Sequence, residues 1–166
     1  MPYRHSIVRE GLIAGTLGAT SVAIWFLVLN GIAGRPLLYT PTVLGRGIFR
    51  ILGPIGDESA IVHVIAYTIF HFSSFFLVGI LVSLVVHRAE EQPSILALFL
   101  VLFVVMEMAF YGLTAILSDQ AFLGQMGWWE IGAANLIATV LMGTYMWRLH
   151  PELREEFAHA LGDYQE

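Results

Sequence analysis

The sequence predicts an all-α, polytopic membrane protein with four transmembrane helices in an antiparallel bundle. A short interfacial helix in the first loop and a short amphipathic C-terminal helix complete the expected fold. Three observations point to it. Of 166 residues, 57% are hydrophobic and only 13% are charged, against roughly 25% charged in a soluble domain. Four apolar runs, at about residues 11–29, 60–86, 95–117 and 129–147, approach or exceed the roughly 20 residues that cross some 30 Å of hydrocarbon. None shows the ten-residue alternation of a membrane β-strand, which leaves helices as the form in which lipid-embedded backbone satisfies itself. The whole chain, 1–166, reads as one four-span domain.

The first run, Gly11 to Leu29, is longer than the 7–15 apolar residues of a signal sequence. It repeats small residues at Gly11, Gly15, Ala19 and Ala23, a spacing that lets a second helix approach its backbone closely. The loop from Asn30 to Ser59 is rich in Gly and Pro. Within it, Thr42 to Leu52 places Val43, Leu44, Ile48, Ile51 and Leu52 opposite Arg46 and Arg50, the pattern of a helix lying in the headgroup plane. Gly34 to Pro41 reads as a turn-rich segment, in which Arg35 and Tyr39 are candidates to contact a lipid headgroup or a partner.

The second run, Ala60 to Val86, is long enough to tilt or to project beyond the bilayer. A polar link from His87 to Ser94 joins it to the third, with Pro93 as a helix breaker and Ser94 as a cap. The 118–128 link has no basic residue and ends in Trp128, which with Trp129 forms an interfacial aromatic anchor. Beyond the fourth run, Pro151 suits a helix start. Leu153, Phe157 and Leu161 then fall opposite Glu152, Glu155 and Glu156, which describes the amphipathic tail helix.

All eight basic residues are Arg. Arg4, Arg9, Arg88, Arg148 and Arg154 lie on one side of the expected topology, and Arg35, Arg46 and Arg50 on the other. The larger group marks the cytoplasmic side, so both termini are expected there, in a bacterial inner membrane. No cluster of basic residues suggests nucleic acid. The absence of cysteine excludes disulfides, thiolate metal sites and thiol catalysis. The partners expected are the lipid bilayer and other membrane subunits.

Polar side chains within the runs carry the functional information. On the second, His63, Tyr67, His71 and Ser74 fall within an arc of about 80°, and on the third Glu107, Tyr111, Thr114 and Ser118 fall within about 60°, at 100° per residue. Matched by depth across a hairpin, His71 meets Glu107 near mid-membrane, Tyr67 meets Tyr111, and His63 comes level with Thr114 and Glu130. A polar seam between the second and third spans is the expectation, with His71 and Glu107 within direct or single-water hydrogen-bond reach. A charged carboxylate at the bilayer centre costs about 2.5–3.5 kcal/mol, so Glu107 must be protonated, paired or wet. The plainer reading makes the pair an interhelical fastener, the tyrosines packing residues, His63 a polar anchor and Glu130 a helix-start carboxylate.

No metal or cofactor is expected. His63 and His71 lie about 12 Å apart along the helix, too far to share an ion, and His63 with Glu130 and a third ligand is the weak remaining metal site. The intramembrane histidines occupy one helix, which disfavours bis-His haem ligation. Asn135, about 140–220° from Glu130 on the fourth span, is expected to face another helix or another protein. No nucleophile elbow or HExxH motif occurs. The function expected is a small non-catalytic accessory or structural subunit. The alternatives are a proton- or ion-handling protein using the seam, and a lipid- or quinone-modifying enzyme.

Overall fold

The computed structural model describes residues 6–53, 56, 59–91, 96–117 and 128–152, and among them every regular element is an α-helix. The helices are α1 (Ile7–Ile32), α2 (Tyr39–Leu52), α3 (Ala60–Glu91), α4 (Leu96–Leu117) and α5 (Trp128–Leu149). Two of them, over Ile7–Ile32 and Ala60–Ala89, are long and apolar enough to cross a membrane, with mean hydropathies of 2.0 and 2.4. The expected tail helix at Leu153, Phe157 and Leu161 lies outside the described residues, as do Pro93 and Ser94.

Small residues set the central packing. Gly11 and Gly15 lie directly on the α3 backbone at Ile80 and Phe75, and Gly79 faces Gly11 in return. A Cβ on any of the three would collide with main-chain atoms, which cannot swing away as a side chain can. One turn further along α1, Ala19 is fully buried. The contacts step up α1 as they step down α3, so the two helices run in opposite senses. On α1, α3 and α5, Ala14, Val22, Phe75, Ala134, Ala138 and Met142 join Ala19 in one apolar core.

α1 ends as its sequence dictates. Gly34 takes φ +67°, the left-handed conformation that favours glycine. The Gly34 and Arg35 amides then donate back to the carbonyls of Gly31 and Asn30, which satisfies two of the carbonyls a helix end leaves open. Asn30, 1% exposed, donates from its side-chain amide to the Leu37 carbonyl at 3.1 Å and the Thr40 hydroxyl at 3.0 Å. One buried amide therefore ties the turn to the start of α2.

The helix expected at Thr42 to Leu52 is present and starts three residues earlier, at Tyr39. Its buried face is narrower than the apolar pattern implied. Thr40, Leu44, Gly45 and Gly47 are buried, while Ile51 and Leu52 are exposed. Two glycines set this face: Gly45 rests on the His63 backbone of α3, and Gly47 on the Leu117 backbone of α4. A second apolar cluster, centred on Leu44, Leu117 and Ile131, joins α2, α4 and α5 there.

α3 departs furthest from expectation. It continues through His87 and Arg88 to Glu91, where the sequence suggested a link beginning at His87. Polar residues do not end a helix by themselves, and His, Arg, Ala and Glu are all compatible with one. His87 consequently occupies a helical position on the last turns of α3.

Candidate functional site

Three chain segments meet where α1 begins and α3 and α5 end. Glu10, in the first turn of α1, is 4% exposed. His87 belongs to α3, and His150, 1% exposed, directly follows α5. His150 Nε2 donates to Glu10 Oε2 at 3.1 Å, and His87 Nε2 lies 3.7 Å from the same oxygen. The two imidazoles meet edge to face with centroids 4.9 Å apart. One ligand-type atom from each residue falls within 4.8 Å of the other two.

The orientation of His87 is fixed from its own helix. Its Nδ1 lies 2.9 Å from the Ser83 carbonyl, which can only accept, so Nδ1 carries the proton. In the neutral ring the lone pair is then on Nε2, facing Glu10. A ring nitrogen bonded to a carbonyl while the other faces a shared centre is the usual arrangement of a histidine prepared to bind a metal.

Sequence reasoning missed these three residues. No local spacing joins them, and Glu10 and His150 are 140 residues apart. The available signal was depth, because Glu10 lies just before the first apolar run and His87 and His150 lie just after the second and fourth. His87 and His150, from two different segments, face each other, and Glu10 lies against both.

The expected direct hydrogen bond between His71 and Glu107 is not formed. His71 Nε2 donates to the Ala19 carbonyl of α1 at 3.1 Å, and Glu107 accepts from Asn135 Nδ2 of α5 at 2.9 Å. These partners replace the predicted His71–Glu107 pairing. The physical reason lies in the register of α3: His71, Phe75 and Gly79 are four apart, so the polar stripe continues the face that packs on α1. Asn135 reaches another helix, as its angular position suggested.

The other seam residues divide in the same way. Tyr67 stacks on His71 with centroids 5.6 Å apart. His63, 3% exposed, packs against Phe49 of α2, and its buried Nδ1 has no hydrogen-bond partner among the described residues. Ser74 turns back to the Phe70 carbonyl. The Tyr111 hydroxyl lies beside Gly132 of α5. The side chain of Thr114, and Ser118 as a whole, lie outside what is described. A cavity of about 120 Å³ between α1, α2 and α3 is walled by Val22, Phe26, Thr40, Val64, Tyr67 and His71 among others.

At the opposite end from Glu10, Arg35 and Tyr39 bind within the chain. The Arg35 guanidinium lies 5.6 Å from the centre of the Tyr39 ring and 3.9 Å from Glu130 Oε1. The backbone carbonyl of Glu130 accepts from Trp25 Nε1 at 2.9 Å, and Trp25 meets Trp129 edge to face. Arg50 donates to the Leu117 carbonyl at 2.9 Å, which satisfies the end of α4. Arg46 is exposed. Among the described residues, three side chains of metal-ligand type come together at Glu10, His87 and His150, and not at His63 and Glu130.

No known protein family, curated protein or solved structure matches this chain.

Proposed function

We propose that the chain is a four-span integral membrane protein of a bacterial inner membrane, with both termini cytoplasmic. Its role in this reading is that of a non-catalytic structural or accessory subunit of a larger membrane assembly. The membrane part is supported by apolar helices whose surfaces face outward. In the most apolar stretches of α1 and α3 only 28% of residues are buried, whereas the core helix of a soluble protein is mostly covered. Val8, Ile24, Val28, Ile61, Ile69, Leu77, Val105, Met108, Ile116, Leu136 and Val140 are all at least half exposed. So much apolar surface requires lipid or protein against it. Trp129 and Trp147, both exposed near opposite ends of α5, match interfacial anchors.

The subunit role rests on one observation. The polar side chains nearest mid-span bind neighbouring helices: His71 bonds to α1 and Glu107 to α5. An ion path needs such groups to share a wet passage. Here they face different neighbours, and the cavity beside His71 has mostly apolar walls. Fastening helices is the simpler role for both.

Gentle detergent extraction of the tagged chain from its native membrane tests the reading. Other integral membrane proteins should co-purify in fixed stoichiometry. A chain that leaves the membrane alone, and that conducts protons or ions when reconstituted in liposomes, would reject the subunit role in favour of ion handling.

A further inference from the structure

We propose that Glu10, His87 and His150 form a binding site for one divalent transition-metal ion of the zinc class, clasping the start of α1 to the ends of α3 and α5. The donor set of two imidazoles and one carboxylate suits such ions, whereas magnesium and calcium favour oxygen ligands. The spacing suits them too. Zinc holds nitrogen and oxygen ligands at about 2.0–2.2 Å, so the edges of its coordination tetrahedron measure about 3.3–3.5 Å. The Glu10 oxygen lies 3.1 Å from His150 Nε2 and 3.7 Å from His87 Nε2, which brackets that edge. All three ligand atoms lie within 4.8 Å of one another, so rotation of the side chains that closes the edge between the two imidazoles places them on one face of a tetrahedron, leaving a fourth position for water.

Two further features prepare the site. The Ser83 carbonyl holds the His87 ring with its Nε2 lone pair facing Glu10, so this ligand needs no tautomer change. Glu10 and His150 are both more than nine-tenths buried, which limits competition from bulk water. When the ion binds, the proton now between His150 Nε2 and Glu10 moves to Nδ1 or leaves to solvent, and the vacated lone pair becomes the third ligand. The ligands come from three segments of one chain, two of them helices and the third the residue that follows α5. The site is therefore independent of any partner subunit, and its test stands apart from the co-purification above.

The experiment uses the full chain in detergent, stripped with a chelator and titrated with Zn²⁺ by calorimetry and with Co²⁺ by visible absorption. One equivalent should bind, and Co²⁺ should give the intense visible bands of a four- or five-coordinate site. Glu10→Gln and His150→Ala should each weaken binding at least tenfold, the triple variant with His87→Ala should abolish it, and Arg88→Ala should leave it unchanged. Zn²⁺ should raise the melting temperature of the parent chain and not of the triple variant. A parent chain that binds neither ion overturns the proposal, whatever the folding of the variants. So does Co²⁺ binding that survives in the triple variant with the same spectrum.

Discussion

The imidazole of His71 donates from Nε2 to the main-chain carbonyl of Ala19, 3.1 Å away across the contact between α1 and α3. A side chain reaches the backbone of a neighbouring helix only where the two axes are close, and closeness here depends on Gly11, Gly15 and Gly79. The histidine and the glycines are one device: the small residues bring the helices together, and the hydrogen bond fixes their register.

Gly15→Ala should therefore be destabilising although alanine is the better helix former. The new Cβ would meet the Phe75 carbonyl, and overpacking of this kind costs about 1–3 kcal/mol. Gly143→Ala on α5 is the control, since nothing lies within 4 Å of its would-be Cβ; it should gain about 0.5–1 kcal/mol from helix propensity. Thermal melts in one detergent would compare them. Equal behaviour of the two variants would show that the α1–α3 contact is looser than described.

Asn30 makes a local prediction. Its amide bridges the Leu37 carbonyl and the Thr40 hydroxyl in a buried position. Asn30→Ala leaves both without that donor, at a cost of about 1–3 kcal/mol. Hydrogen exchange should quicken in residues 33–42 while the centre of α3 stays protected. Uniform acceleration along the whole chain would mean that the turn is not a separate unit of stability.

Topology is tested directly. With both termini cytoplasmic, a reporter fused at the C-terminus should be active only as a cytoplasmic reporter. One inserted between residues 118 and 127, a stretch without basic residues, should be active only on the far side. Reversed activities would place Glu10, His87 and His150 at the outer interface, without changing how they meet.

The apolar runs are legible in the sequence by their length and composition, and four helices begin within about four residues of where those runs do. The end of α3 is not, because His87 to Glu91 is polar and a change in polarity does not by itself end a helix. The stripes on α3 and α4 were also visible, but a helical wheel gives a direction without naming the neighbour that lies there. The spacing of Gly11, Gly15, Ala19 and Ala23 announces a close approach but leaves its partner open; the structure supplies it as α3 at Gly79. Glu10, His87 and His150 share no spacing at all. They converge only once α1, α3 and α5 are placed side by side.

Glu107 separates the two leading functions most sharply. Its Oε2 accepts from Asn135 across α4 and α5 at 2.9 Å. Glu107→Gln keeps a carbonyl oxygen to accept that bond and removes the ionisable group. If the residue is a fastener, the change should be almost silent, and Asn135→Ala should cost more. Hydrogen bonds between helices in a membrane average about 0.6 kcal/mol and reach about 1.7 kcal/mol, so a loss in that range is expected for Asn135→Ala. In the double variant Glu107→Gln with Asn135→Ala, the loss should be no greater than for Asn135→Ala alone. Unfolding of all variants in one detergent series gives the energies, and proton flux in liposomes gives the functional readout. Glu107→Gln with unchanged stability but abolished flux would turn the assignment to ion handling. Unchanged stability with no flux in either parent or variant leaves Glu107 and Asn135 as the pair that holds α4 to α5.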